Sequence, residues 1–249
     1  MQIKIILITI SFFGFTGLIN LQAQEIQFGL DFQTGVPQGE FSEQLDDRLG
    51  FGVGGMFGYR ITNTPVMVGA DLGFMNFGTE TRREAWSTTI PDATVDVENS
   101  YNLFHGDLLL RLIPPETTIR PYAEGLFGFN HFFTQTKIRD RGTTGPDDTI
   151  ATDTNFRDTT LSYGFGGGLQ FRVYSGVGTS SSNNDNNGAV ANSMPYTIYI
   201  HLSGRYMFGR EAEYLREGSI IRENGQVTYD VMQSTTNLMH FKLGISVSL

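Results

Sequence analysis

The sequence predicts an all-β protein, an eight-stranded antiparallel up-and-down β-barrel that spans a membrane. Large apolar residues alternate with small or polar residues over eight segments, each about 9–14 residues long. Soluble strands are most often about 5–6 residues long, whereas tilted membrane-spanning strands need about 9–11. The composition agrees, because 30 of the 249 residues are glycine, 12% are aromatic and only 17% are charged. Soluble domains carry about 25% charged residues.

The N-terminus has the features of a segment that is removed during export. A short start with one positive charge, Lys4, precedes an apolar stretch over residues 5–19, and Leu21-Gln22-Ala23 ends in a small residue. The stretch is shorter than the ~20 residues that a membrane-spanning helix needs. We predict a secretory signal peptide over residues 1–23, cleaved after Ala23, and one barrel domain over residues 24–249.

The two faces of the predicted strands differ in a way that orients them. One face carries large apolar side chains such as Phe127, Phe165 and Ile200, and the other carries glycine, polar and charged residues. A charge at the bilayer midplane costs about 2–4 kcal/mol, whereas acids and bases inside a barrel can pair. We therefore predict that the apolar face contacts lipid. We also predict a structural charge network in the lumen, formed by Asp31, Arg60, Asp71, Asp107, Arg111, Glu124, Arg172, Arg205 and Lys242.

The connections between the strands alternate in length. The long ones cover residues 37–48, 78–100, 136–159 and 209–236, and the short ones cover 62–65 and 113–118. Outer-membrane barrels have short periplasmic turns and longer extracellular loops. We therefore predict a cell outer membrane location with both termini in the periplasm.

Two connections leave the strand plan open. Residues 175–195 are rich in Ser, Asn and Gly, so we expect a flexible periplasmic insertion there. Within residues 211–233, Asn224-Gly225 before Gln226–Tyr229 is typical of a hairpin, and residues 79–99 could hold another. Ten strands are then possible, with the additional hairpin extending the barrel above the membrane.

Several chemical functions are excluded or disfavoured. Cysteine is absent, which excludes disulfides and thiolate sites, and the net charge of −9 disfavours nucleic-acid binding. Residues 50–55 match GxGxxG, but the alternation continues to Ile61 where a dinucleotide site needs a helix. Asn183–Gly188 begins like a calcium loop, yet Met194 stands where the bidentate Glu belongs. We expect no cofactor and no metal site, and the histidines look scattered.

One pair of residues has a spacing that is used in catalysis. His201 and Ser203 lie two residues apart on one predicted strand, and a lipid A deacylase-like barrel enzyme uses such a pair on its lipid-facing side. Here the alternation places both in the lumen, and the sequence supplies no separate acid. We therefore predict no catalytic residues and no enzymatic activity.

Several short motifs, in order along the chain, carry a resemblance to a known family. They are Phe51-Gly52-Val53-Gly54-Gly55, residues 68–73, Arg120-Pro121-Tyr122, residues 213–220 and residues 243–247. Together they resemble the small outer-membrane β-barrel domain family (porin-like, OmpA-type). The resemblance implies a Gram-negative outer-membrane barrel inserted by the barrel-assembly machinery, without implying one activity. The chain departs from the family in its final Leu249, where many members have an aromatic residue, and in the 175–195 insertion.

The function predicted from these features is structural. An eight-stranded barrel has an interior just wide enough for side chains, so we expect a non-enzymatic scaffold with a filled lumen that displays extracellular loops. The alternatives are a narrow porin-like channel for small solutes, a lipid-modifying barrel enzyme, and an exported soluble barrel. Outer-membrane lipid and lipopolysaccharide are the expected surroundings, and the partner of the loops stays open.

Overall fold

The computed structural model of the chain describes residues 25–45, 47–87, 90–140, 149–180, 192–216, 219–223 and 226–249. The signal peptide predicted over residues 1–23 lies outside these ranges and stays a prediction. No helix in the described ranges is long and apolar enough to cross a membrane.

Eight strands form a closed antiparallel barrel, which confirms the predicted fold class. They are β1 (Ile26–Pro37), β2 (Gly50–Arg60), β3 (Val66–Ser87), β4 (Ile90–Leu112), β5 (Ile119–Asp140), β6 (Thr149–Ser180), β7 (Asn192–Gly209) and, after four short strands, β12 (Leu238–Ser248). Each strand pairs with its neighbour along the wall, and β1 closes the barrel against β12 with Leu30 opposite Ile245.

Burial alternates along these strands with the period of two that the sequence shows. On β1, Phe28 and Leu30 are 49% and 76% exposed, while Gln27 and Gln33 are fully buried. Phe127, Phe165 and Ile200 are likewise exposed on the outside of the wall. The large apolar side chains therefore face outward and the polar ones face the interior, as predicted.

β4 explains two residues that break the alternation in the sequence. Leu103 and Leu109 are buried at 0% and 3% exposure, on the same side of the strand as His105 and Asp107. Each packs in an apolar cluster inside the barrel, Leu103 near Phe41 and Leu109 near Met67. The interior thus contains apolar packing beside its charges.

Four strands, β3 to β6, extend well beyond the ends of the shorter barrel strands β1, β2 and β12. β3 and β4 stay paired from Val66↔Leu112 to Ser87↔Ile90, and β5 and β6 from Ile119↔Phe171 to Arg139↔Thr149. The prediction of loops over residues 78–100 and 136–159 is therefore wrong for most of these residues. The many Thr residues of these segments favour extended strands despite the polar composition.

The opposite end of the barrel has the two predicted short connections at residues 61–65 and 113–118. The third connection at this end differs from the prediction. β6 and β7 pair from Ser175↔Thr197 to Ser180↔Asn192, so residues 175–180 and 192–195 are strand rather than flexible linker. Residues 181–191 lie outside the described ranges.

The remaining elements gather over one mouth of the barrel. A short helix α1 (Glu40–Gln44) follows β1, and β8 (Glu211–Tyr214) pairs with β11 (Met232–Thr235). Between them, β9 (Ile220–Glu223) pairs with β10 (Gln226–Tyr229), which confirms a hairpin within residues 211–233. These strands form separate two-stranded sheets, so the barrel itself keeps eight strands.

Candidate functional site

The barrel interior holds a buried set of salt bridges that we call the central network. Its members come from six different barrel strands and are Asp31 (β1), Asp71 (β3), Arg111 (β4), Glu124 (β5), Arg205 (β7) and Lys242 (β12). None is more than 6% exposed. The alternation of each strand turns these side chains inward, because they occupy the phase opposite to the lipid-facing residues.

Arg205 links the two acids at the centre of this network. Its Nε donates to Glu124 Oε1 at 2.6 Å, and its Nη1 lies 3.0 Å from Asp71 Oδ1. Arg111, which stands opposite Glu124 across the β4–β5 pair, donates to Glu124 Oε2 from Nε at 3.0 Å and from Nη2 at 2.8 Å. One glutamate thus holds two guanidinium groups from different walls of the barrel.

Lys242 connects the network to β1. Its Nζ donates to Asp71 Oδ1 at 2.6 Å and lies 3.6 Å from Asp31 Oδ1. A buried ion pair adds little net stability relative to an apolar core, yet removing one partner is strongly destabilising because the other charge stays buried. The network therefore ties the strands to one arrangement.

Arg60, predicted as part of the same network, belongs to a second cluster near the chain termini. Its Nε donates to Glu25 Oε2 at 2.6 Å, and Arg120 Nη1 donates to Glu25 Oε1 at 2.8 Å. Burial alone raises the pKa of Glu25, but the hydrogen bonds and charge of Arg120 and the charge of Arg60 outweigh it, so the pKa is lowered overall. Glu25 and Arg120 are absent from the predicted network, since neither was assigned to an inward strand face.

Arg172 is not part of the network, contrary to the sequence prediction. Its side chain is exposed, and its Nη2 donates to Thr118 Oγ1 at 3.3 Å. The register of the β6–β7 pair shifts between Arg172 and Tyr174. Arg172 lies two residues beyond Gln170, which is fully buried. The alternation of β6 therefore does not carry Arg172 into the closed interior.

Three histidines lie in the interior, and two of them, His105 and His240, are in contact, so the expectation that the histidines are scattered is wrong for this pair. His105, His201 and His240 are each at most 4% exposed. The rings of His105 and His240 pack edge to face with their centroids 5.1 Å apart. Their position in the alternation identifies them, because each lies on the same strand face as Asp107, Arg205 or Lys242.

Asp107, the remaining acid of the predicted network, lies beside His105 rather than beside an arginine or lysine. Its Oδ2 is 3.0 Å from His105 Nδ1, and Ser162 Oγ is 3.5 Å from its Oδ1. On the other side of the ring, His105 Nε2 is 3.0 Å from Gln33 Oε1. This series of side-chain contacts joins β1, β4 and β6 across the interior.

Asp71, His105 and Asp107 offer three potential ligand atoms within 4.8 Å of one another. However, Asp71 Oδ1 already lies 2.6 Å from Lys242 Nζ and 3.0 Å from Arg205 Nη1. A metal cation there would face two positive side chains. The arrangement is therefore that of an ion-paired cluster.

The candidate catalytic pair is buried in the lumen. His201 is 4% exposed and Ser203 is 5% exposed, as the strand phase predicts. Asp31 Oδ2 lies 4.0 Å from His201 Nε2. Asp31 is thus an acid near this pair, which the sequence alone did not place there. The barrel wall separates these groups from the lipid phase, so an acyl chain on the outside does not reach them.

An apolar cap lies above the central network at the mouth that carries α1. Phe41 of α1 packs edge to face against Phe77, Phe132 and Tyr214 at centroid distances of 5.9, 5.6 and 5.2 Å. Leu45, Met75, Leu103, Ala212 and Leu238 complete the same buried cluster. The cap closes this mouth with aromatic side chains contributed by the wall, the helix and β8.

A family model describes this architecture. The outer membrane protein beta-barrel domain matches residues 11–182 of the chain. No curated protein matches the sequence significantly.

Similar solved structures include three outer-membrane proteins. The attachment invasion locus protein Ail of Yersinia pestis, solved with the heparin analogue sucrose octasulfate, is 14% identical, with 92% of this chain and 100% of that chain covered and a TM-score of 0.36. Neisserial surface protein A is 10% identical, with coverages of 91% and 96% and a TM-score of 0.35. A major outer membrane protein of Thermus thermophilus is 10% identical, with coverages of 90% and 99% and a TM-score of 0.37.

The family match spans more than two thirds of the chain, and the closed barrel with an apolar outside and a polar inside is what such a domain requires. The chain belongs to the outer membrane protein beta-barrel domain family, and its location is the outer membrane.

Proposed function

We propose that this protein is a non-enzymatic outer-membrane scaffold whose lumen is closed and whose extended strands and cap form an extracellular display surface. The observation that carries the proposal is the filling of the interior. Ion-paired side chains from six strands occupy its centre, and none of them is more than 6% exposed. An eight-stranded barrel leaves little space beyond that needed for such side chains.

Two further layers support the closed lumen. The aromatic cap around Phe41 covers one mouth. At the other end, Glu25 binds Arg60 and Arg120, and Arg60 also donates to the carbonyl of Ile113 at 3.0 Å. A solute would have to displace an apolar cluster and then break buried ion pairs, which are costly to separate.

The orientation in the membrane is part of the same proposal. The start of β1, the C-terminus and the two short turns at residues 61–65 and 113–118 lie at one end of the barrel. We assign that end to the periplasm, since outer-membrane barrels keep their short turns there. The extended β3–β4 and β5–β6 hairpins then project from the cell. Insertion by the barrel-assembly machinery and contact with lipopolysaccharide follow from this placement.

The lumen is tested by planar-bilayer recording on the refolded mature chain. We expect baseline conductance for the wild type and also for Phe41→Ala, which loosens the cap but leaves the central network intact. A steady conductance in the wild type would overturn the closed-lumen proposal in favour of a narrow channel. Incubation with labelled lipid A should release no acyl chains, and release would overturn the non-enzymatic part.

A further inference from the structure

The hydrogen bonds of His105 constrain where its protons lie. Nε2 of the ring faces Gln33 Oε1 at 3.0 Å, and Nδ1 faces Asp107 Oδ2 at 3.0 Å. The Gln33 amide is itself oriented, because its Nε2 donates to the carbonyl of Val53 at 2.7 Å. A flipped amide would place two oxygens against each other, so Oε1 is the atom that His105 meets.

Both partners of the ring are acceptors as long as Asp107 is ionised. An amide oxygen only accepts, and so does an ionised carboxylate. A neutral imidazole has one N–H and one bare nitrogen, and only the imidazolium form donates from both nitrogens. The geometry around His105 thus matches the imidazolium form, with one hydrogen bond to Gln33 and one to Asp107.

The charges of the interior also favour one additional proton at this pair. The central network and Asp107 together contain four carboxylates but only three cationic side chains, Arg111, Arg205 and Lys242. Among the described residues, no arginine or lysine forms a salt bridge with Asp107, whereas each of the other three carboxylates has one. An unpaired buried charge is strongly unfavourable. One additional positive charge beside Asp107 balances the set.

We infer that His105 and Asp107 form a buried proton-binding site, in which His105 is held as an imidazolium that completes the charge balance of the barrel interior. The acids that face it are Asp107 on its own strand, Asp71 with Oδ1 at 4.0 Å, and Asp31. The cations and neutral groups packed around them are Arg205, Lys242, His240 and Ser162. His240 does not compete for the acid, since neither of its ring nitrogens has a hydrogen-bond partner.

The inference is tested by nitrogen NMR of histidine side chains in the ¹⁵N-labelled mature chain, refolded in lipid nanodiscs at neutral pH. The chain has four histidines, and His131→Gln on the outside of the barrel helps to assign them. We expect two N–H signals from His105, because both of its ring nitrogens carry protons. A histidine without a partner in water is mostly neutral at this pH.

Two variants show whether the Asp107 carboxylate is what holds the second proton on the ring. Asp107→Asn removes the carboxylate and should leave His105 with one N–H signal, while Ser162→Ala keeps the carboxylate and should retain both. If Asp107→Asn does not fold, the wild-type spectrum decides alone, and a single N–H on His105 would overturn the inference.

Discussion

Single acidic residues determine how charge is distributed along the interior. Glu124 holds Arg111 and Arg205 at the centre, whereas Glu25 holds Arg60 and Arg120 at the end near the chain termini. Glu25 precedes β1 and has an 11% exposed side chain. Because hydrogen bonds to charged groups contribute about 1.5–3 kcal/mol each, this one carboxylate stabilises the end of the barrel through its charge.

The effect of Glu25 should therefore depend on pH. Its pKa is lower in the folded barrel than the ordinary value of 4.5, so its contribution is fully present above about pH 4.5 and decreases as the pH falls below that value. We expect Glu25→Gln to reduce the free energy of unfolding by about 1–3 kcal/mol at pH 7, with a smaller difference at pH ~3. Urea titrations in detergent measure this. Glu116→Gln in the exposed turn is the control, and a pH-independent difference would contradict the role of the Glu25 charge.

Individual strands differ in how closely they approach the interior side chains. Gly73 of β3 faces inward, and a Cβ atom there would overlap Gln33 Nε2 and His105 Nε2. Both neighbours are held by hydrogen bonds on their other sides and do not move away freely. Gly125 of β5 faces outward, and a Cβ there would meet no atom within 4 Å. The two glycines therefore have different roles on otherwise similar strands.

A matched pair of substitutions tests this difference. Gly73→Ala should lower the free energy of unfolding by about 1–3 kcal/mol, because overpacking displaces the bonded side chains. Gly125→Ala should change it by less than about 1 kcal/mol, since the added methyl group meets open space and a less flexible unfolded chain offsets small losses. Urea unfolding followed by gel mobility measures both. Equal effects at the two positions would show that Gly73 is not in close contact with the network.

The whole molecule is asymmetric along the barrel axis. One end carries α1, the β8–β11 and β9–β10 pairs, and the long β3–β4 and β5–β6 hairpins. The other carries the start of β1, the C-terminus and two short turns. The β6–β7 pair extends from the terminal end through Ser180↔Asn192. Structure therefore projects from both ends of the wall, and the aromatic cluster around Phe41 covers the mouth that carries α1.

The proposed orientation gives a specific topology. An epitope inserted between β5 and β6 should be labelled by antibody on intact cells, because that hairpin projects outward. The same epitope between β6 and β7 should be labelled only after the outer membrane is permeabilised. Flow cytometry with and without permeabilisation measures both, and heat-modifiable migration of each variant confirms that it folds. Labelling of the β6–β7 insertion on intact cells would reverse the assignment.

The sequence by itself determined the number of barrel strands, the lipid-facing side and most of the interior charges. It did so because a strand turns alternate residues to opposite faces, and a bilayer tolerates only one kind of face. The position of Asp71 and Arg205 in the alternation therefore predicts that both face the interior, although it does not predict their partners. The alternation also placed His201 on the inward face, but it did not show that His105 and His240 meet in the interior.

Only the tertiary structure decided which side chains meet. Glu124 binds Arg205 across 81 positions of sequence, and Gln33 binds His105 across 72. Such contacts depend on barrel closure and strand register, which local alternation does not specify. Pairing between β6 and β7 also decides two features that local composition does not predict. These are the register shift near Arg172 and the strand structure at both ends of residues 175–195.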